Sequence, residues 1–324
     1  MTTPTMRAIG LDEFGGPEVL HTVEIARPQP LPTEVLVRVA SAGVNPVDYK
    51  TRANGGMPGT LGPPPVILGW DVSGIVEETG FGVTTLAVGD EVYGMPWFPR
   101  QAGAYAEYVT APSRQFARKP TTLSHDTAAA VPLAALTAWQ TLVDTADVQA
   151  GQRVLIHAAA GGVGHFAVQF ARHLGAYVVG TASAAKHDWL RSLGADELVD
   201  YTRERFEDAI DHDSVDVVID LVGDGHDATS TRSLPVLRPG GLLVAVPSGV
   251  DPGLLAQAQS RGLRATGFLV EPDGHAMGRI GGLIDTGEVS VEVEDVMPLA
   301  QAAEAHRRAE TGRTRGKLVL RVSP

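Results

Sequence analysis

Cysteine is absent from all 324 residues. Disulfide staples, thiolate nucleophiles and cysteine-ligated zinc are therefore excluded at once. A basic surplus is missing too: 26 Lys and Arg stand against 38 Asp and Glu, a net charge of −12. That balance argues against nucleic acid or an anionic membrane surface as the main partner. No apolar run approaches the ~18 residues of a membrane span. Met1–Arg7 lacks the apolar core of a signal peptide, so a cytoplasmic protein is expected. The histidines are scattered, with no H-E-x-x-H or comparable spacing, and none is assigned to a metal or to catalysis. Internal repeats and low-complexity segments are also lacking.

What is present is an ordinary globular composition, 44% hydrophobic and 20% charged, at a length that suggests two domains. The chain is organised around Arg153–Arg172. Val154, Leu155 and Ile156 read as a strand buried on both faces. Ala158, Ala159, Ala160, Gly161, Gly162 and Gly164 follow at once, and Val163, Ala167, Phe170, Ala171 and Leu174 then recur at helical spacing. A strand, a turn without side chains and a helix N-terminus make an anion site, because backbone N–H groups and the helix dipole both favour a pyrophosphate there. On the G-x-G-x-x-G pattern the three positions are Ala159, Gly161 and Gly164, with alanine replacing the first glycine. Further apolar strands are predicted at Ala176–Gly180, Val215–Asp220 and Gly241–Val246. Strands alternating with helical stretches predict a parallel, doubly wound α/β sheet that binds a dinucleotide.

Met6 to about Pro120 has another character. Arg7–Leu11, Glu34–Ala40 and Gly74–Glu78 read as strands, and Val35, Val37 and Val39 alternate with outward charge, predicting one wet face. Gly55–Gly59 and Gly62–Pro65 break the pattern, so helices longer than a turn or two are not expected here. Thr127–Val143 is alanine-rich and apolar all round, predicting buried helices divided at Pro132. Met277–Asp285 and Leu299–Ala309 read as helices, and Gly316–Val322 as a closing strand that returns to the first domain. The expected domains are 1–125, completed by about 271–324, and 126–270.

Several motifs carry a resemblance. Ala159-Ala-Gly-Gly-Val-Gly164 with Gln169 and Arg172, Gly43-Val-Asn-Pro-Val-Asp48, Gly69-Trp-Asp-Val-Ser-Gly74, Val88-Gly-Asp-Glu-Val-Tyr93 and Gly316-Lys-Leu-Val-Leu320 resemble, in order, the motifs of the medium-chain dehydrogenase/reductases. Within that superfamily they are similar to the zinc-independent quinone oxidoreductases related to ζ-crystallin. The resemblance spans essentially the whole chain. It implies a GroES-like β-rich catalytic domain, a Rossmann domain, NADPH, a homodimer and a small apolar or aromatic carbonyl substrate. The implied reaction is hydride transfer to a quinone or an α,β-unsaturated carbonyl. The alternative is a protein that keeps fold and cofactor without turnover, as lens crystallins do.

Zinc-dependent relatives place a cysteine and a histidine where this chain has Asn45 and Trp70, and neither an amide nor an indole replaces those ligands. Asn45 has two readings: an NH₂ donor that polarises the acceptor carbonyl, or a turn residue beside Pro46. Relatives carry a tyrosine five residues after the asparagine; that position is Lys50 here, with Tyr49 one earlier. Lys50 is either part of the site or a solvated lysine. Thr137 is either a nicotinamide contact or a threonine bonded back to its own helix. Trp70, Trp97, Phe98 and Phe268 are candidates for an apolar wall, and Met95–Gly103 for a loop bordering substrate.

For the cofactor, the resemblance adds Ala160, Gly161, Gly162, Val163, Gly164, Thr181, Val222, Phe268 and Lys317 to Thr137. Selectivity rests on Gly180–Lys186. An NAD site usually carries an acid after the second strand, and this stretch has none before Asp188. Ser183 and Lys186 stand there as donors to a 2′-phosphate, and Tyr201 resembles a third contact.

Overall fold

The computed structural model describes residues 4–56, 59–247 and 249–323. Met57 and Pro58 of the expected turn at 55–59 lie outside them. The chain divides into two units: Met1–Leu136 with Glu271–Pro324, and Thr137–Val270. The division falls inside a helix, later than the expected start at 126.

The first unit opens with eight strands: β1 (Thr5–Leu11), β2 (His21–Ala26), β3 (Glu34–Val44), β4 (Val66–Ile67), β5 (Asp71–Thr79), β6 (Glu91–Gly94), β7 (Tyr108–Pro112) and β8 (Phe116–Arg118). β2, β1 and β4 form a small antiparallel sheet. The three strands expected from the sequence are all present and run longer. The wet face predicted for β3 is corrected: Val35, Leu36, Val37 and Val39 are all buried, and Glu34 with them. β3 pairs with β5 and β7 along its edges, so it is a central strand, and on its second face only Arg38 and Ala40 stay part-exposed.

A second correction concerns helices in this unit. α1 (Pro46–Asn54) runs nine residues. Pro46 occupies the first helical position, where its missing N–H costs nothing. Asp48 Oδ2 accepts from Asn45 N at 2.6 Å, and Gly55, at φ 79°, closes the helix with its N–H on Thr51 O. The first glycine of the break expected at 55–59 is thus the cap of a helix. α2 (His125–Ala129) and α3 (Pro132–Trp139) follow, divided at Pro132 as expected, with Ala134, Ala135, Leu136 and Ala138 buried.

The second unit is built on β9 (Arg153–Ile156), β10 (Tyr177–Thr181), β11 (Glu197–Val199), β12 (Val215–Asp220), β13 (Leu237–Ala245) and β14 (Arg264–Gly267). All pairings are parallel, in the order β11-β10-β9-β12-β13-β14. This is the doubly wound sheet predicted from the sequence. α4 (Gly164–His173) follows the glycine-rich turn. Val154, Leu155 and Ile156 are fully buried.

The chain then returns to the first unit. Helices Gly274–Asp285 and Ala302–Glu310 match the expected ones, except that Leu299–Gln301 forms a 3-10 turn. β15 (Val293–Pro298) and β16 (Lys317–Arg321) complete the larger sheet, with β16 antiparallel to the last residues of β3. The C-terminal strand therefore belongs to the N-terminal unit, as its sequence predicts.

Candidate active site

Because every strand of the second unit points the same way, the loops leaving β9 to β14 share one edge of its sheet. That carboxyl edge is where open α/β sheets bind ligands. It gathers most of the residues proposed for the cofactor: Ala160–Gly164 after β9, Ser183 and Lys186 after β10, Tyr201 after β11, Val222 after β12 and Phe268 after β14.

The turn after β9 is tightly specified. Ala158 adopts φ 49°, so the left-handed residue is Ala158 and not Ala159, the position aligned with the first motif glycine. Gly161, Gly162 and Val163 are half-buried and Gly164 is buried. A Cβ on Gly164 would lie 2.3 Å from Ala158 O and 2.7 Å from Ala159 Cα, so only glycine lets α4 start this close to the turn. Thr181 is turned to the same task. Its hydroxyl accepts from Ala158 N at 3.2 Å and its carbonyl accepts from Ala159 N at 3.0 Å. With its polar atoms used this way and its side chain buried, Thr181 supports the turn. The partly exposed backbone of Gly161–Val163 at the start of a ten-residue helix fits a pyrophosphate.

Ser183 and Lys186 bracket one 3-10 turn, with Lys186 N on Ser183 O at 2.9 Å, and both are half-buried. Tyr201 is 60% exposed. β10 and β11 pair with Thr181 opposite Val199, which places the two loops side by side. Sequence reasoning missed Asp200 between them. Its carboxylate accepts from Thr202 Oγ1 at 2.7 Å and Thr202 N at 3.0 Å. The Thr202 hydroxyl foremost, with the Ala184 N–H also contributing, holds its carboxyl below the usual range. Asp200 thus braces the Ser183–Lys186 turn instead of facing a ligand. Asp220 does the same for the next loop, accepting from Val222 N at 2.8 Å and Gly223 N at 3.0 Å. Asp-Tyr after β11 and the terminal aspartate of β12 were the available signals. Thr137 is buried in α3, and its carbonyl accepts from Thr141 Oγ1 at 2.8 Å.

In the first unit, Asn45 is 2% exposed. Its Nδ2 donates to Asp71 Oδ2 at 2.8 Å, and its Oδ1 accepts from Lys317 Nζ. Lys317 also donates to Val44 O at 3.0 Å and reaches Asp71 Oδ2 at 3.3 Å, which uses its three N–H bonds. Asp71 Oδ1 accepts from Leu133 N at 2.7 Å. Within this cluster Asn45 links Asp71 to Lys317 through one of its two amide N–H bonds and its oxygen, and Lys317 ties β16 to the end of β3.

The chain of polar groups continues behind α1. Burial foremost raises the Asp48 carboxyl to about 7. His306 is buried and held neutral, its pKa lowered to about 3 by desolvation and by Arg52. Arg52 can only donate, so its long 3.5 Å contact makes His306 Nδ1 an acceptor. Nε2–H then donates to the Tyr105 hydroxyl at 3.2 Å, which leaves Tyr105 O–H pointing at Asp48. Arg52 is completed by Gly15 O and Glu310. Tyr49 packs edge-on to His306 at 6.5 Å between ring centres, and burial, then Glu310 and Asp48, raise its phenol pKa.

Lys50 points elsewhere. It lines a cavity of about 260 Å³ with Asn54, Thr60, Trp70, Phe98 and Pro99. Trp70 and Phe98 meet edge to face at 5.6 Å, and Trp70 Nε1 donates to Arg100 O at 2.7 Å. Trp97 sends its indole N–H to Thr110 O. Of the aromatic candidates, Trp70 and Phe98 share this cavity, and of the pair 49 and 50 it is Lys50 that faces it.

Residues 31–121 match the family described as "Alcohol dehydrogenase GroES-like domain", and residues 193–320 match "Zinc-binding dehydrogenase". The chain is 35% identical to a 2-methylene-furan-3-one reductase of Solanum lycopersicum, over 98% of this chain and 80% of that one. It is 34% identical to an NADPH-dependent alkenal/one oxidoreductase, chloroplastic, of Arabidopsis thaliana, with the same coverage. The solved quinone oxidoreductase of Coxiella burnetii superposes with a TM-score of 0.91 at 38% identity, covering 99% of this chain and 100% of that one. This chain belongs to the medium-chain dehydrogenase/reductases. Within that family it stands with the quinone oxidoreductases, and it is an oxidoreductase. The zinc in one family description does not fit these residues. Asn45 and Trp70 have no lone pair suited to the metal, and both are already hydrogen-bonded within the unit. Among the described residues no group of three or more His, Asp or Glu has metal-site geometry.

Proposed function

We propose that the protein reduces a quinone or an α,β-unsaturated carbonyl with NADPH and without a metal. The observation that carries this reading is the constellation on the carboxyl edge of the parallel sheet: a glycine turn at a helix N-terminus beside Ser183, Lys186 and Tyr201. The backbone of Gly161–Gly164 would hold the pyrophosphate, and Ser183, Lys186 and Tyr201 the 2′-phosphate. Val222 and Phe268 would border the remainder and Thr137 the nicotinamide end. Bound there, NADPH supplies a hydride. The relatives named for alkenal/one and quinone reduction support an electron-poor acceptor. Such an acceptor needs no Lewis acid, because its own carbonyl takes up the charge. The acceptor would lie in the cavity against Trp70 and Phe98, with Lys50 at its rim. Tyr49, facing His306, is a positioning residue of α1.

The protein is also expected to be a homodimer, since β14 leaves an unpaired edge that a two-fold axis would cover; light scattering at micromolar concentration checks it. A cytoplasmic site is consistent with the fact that no helix among the described residues is long and apolar enough to span a membrane. The test of the reaction is NADPH oxidation with a panel of quinones, enones and enals. Turnover of at least one class is expected. NADPH binding with no reduction of any of them would leave a cofactor-binding protein without this activity.

A further inference from the structure

The cavity of the first unit has one charged side chain, Lys50, and everything around it makes that charge conspicuous. The chain as a whole carries −12, so an anion approaching it is repelled on average. On α1 the other titratable acid and base, Asp48 and Arg52, are buried and engaged with Asn45, Gly15 and Glu310. Lys50 is exposed at the rim and has no ion-pair partner among the described residues. Trp70, Phe98 and Pro99 give the same cavity an apolar wall, and Thr51, Asn54 and Thr60 add neutral polar groups. A flat unsaturated system fits the wall, and an anionic substituent fits the ammonium. At about 260 Å³ the space lies just under the ~300–1,000 Å³ of drug-sized sites, which suits a small acid.

We propose that Lys50 makes this cavity selective for acceptors that carry a carboxylate: small α,β-unsaturated carbonyl acids are taken in preference to their neutral esters. The inference rests on the reaction proposed above. In such a substrate the hydride adds to the alkene carbon β to the ketone and a proton to the α carbon, while the carboxylate is held unchanged by Lys50. An ammonium–carboxylate pair in open water contributes little, but a wall that excludes water on one side strengthens it.

The test uses (E)-4-oxopent-2-enoate and its methyl ester, which share the enone and differ in charge. In the whole enzyme at low ionic strength, kcat/KM for the acid should exceed that for the ester by about tenfold, and the ratio should shrink as salt is added. Lys50→Met should lower the acid-to-ester ratio about tenfold, and Lys50→Arg should largely keep it. Equal values for the two substrates in the wild type overturn the proposal. So does Lys50→Met lowering both alike, since the lysine would then act on the carbonyl they share. A second readout needs no turnover: 4-oxopentanoate, but not methyl 4-oxopentanoate, should raise the thermal midpoint of the wild type and of Lys50→Arg, and not of Lys50→Met. If no quinone, enone or enal oxidises NADPH, the reaction fails while this binding contrast still decides the anion selectivity.

Discussion

Lys317 is the residue whose surroundings most constrain its chemistry. Its ammonium is enclosed by Val44 O, Asn45 Oδ1 and Asp71, and Asp71 is fully buried. Lys317→Met would strand that carboxylate with only neutral donors. Breaking a buried pair from one side typically costs about 3–5 kcal/mol, so the denaturant midpoint should fall sharply. An unchanged midpoint with weakened NADPH binding would instead return Lys317 to the cofactor. Asn45→Ala removes one link of the same chain, and a smaller fall of about 1–3 kcal/mol is expected. Cofactor choice is decided at single residues too. Ser183→Asp should reverse a preference for NADPH by adding the missing acid. Lys186→Ala should weaken NADPH without improving NADH. Comparing kcat/KM for the two cofactors checks both, and a lead for NADH in the wild type would defeat the assignment.

At the scale of elements, the junction of β9 and α4 depends on contact between backbones. Gly164→Ala would drive a methyl into Ala158 O and Ala159, at 2.3 and 2.7 Å, and neither is a flexible side chain that can yield. Overpacking of this kind costs about 1–3 kcal/mol. Since the shift would move the N–H groups of Gly161–Val163, NADPH affinity should fall about tenfold or more by fluorescence titration. Gly161→Ala meets only Ala158 O, at 3.2 Å, and should be milder in stability. Equal tolerance at both positions would mean that α4 can retreat from the turn.

At the scale of the whole molecule, buried titratable groups set the response to acid. His306 and His157 have folded pKa values lowered to about 3 and about 4, chiefly by burial. The unfolded chain therefore binds more protons below ~6.5, and each group costs stability as pH falls from there towards its folded value. Asp48, raised to about 7, has the opposite sign: the folded state binds the extra proton between ~4 and 7, so acidification through that window favours folding. Each group contributes a slope of at most ~1.4 kcal/mol per pH unit. Thermal midpoints should fall from pH 6.5 to 4.5, and Asp48→Asn should steepen the fall by removing the opposing contribution. A shallower fall in the variant would show that Asp48 is ionised in the folded protein. Metal dependence is likewise a property of the whole enzyme. Dialysis against a strong chelator should leave turnover intact, and activity that returns only with Zn²⁺ would contradict the donor chemistry of Asn45 and Trp70.

The sequence by itself determined what depends on local pattern. The apolar runs at Val154–Ile156 and Val215–Asp220, the glycines at 161–164 and the division at Pro132 each carry their structure in neighbouring residues, so the parallel sheet and its anion turn were legible. The lack of cysteine excluded disulfides and thiolate chemistry from the sequence alone. Local pattern misled where a partner came from far along the chain. β3 alternates like a half-wet strand, yet Glu34 and Leu36 on its polar face are buried. Gly55 read as a breaker, yet its N–H on Thr51 O makes it the end of a helix. Only the tertiary structure brought together Asn45 and Lys317, which stand 272 residues apart. Beside a fully buried Asp71, an amide and an ammonium are held by the carboxylate that would otherwise lie unpaired. Lys50, one position from Tyr49 in the sequence, was separated from it by helix geometry alone. Successive residues on a helix point about 100° apart, which turns the tyrosine to His306 and the lysine to the cavity.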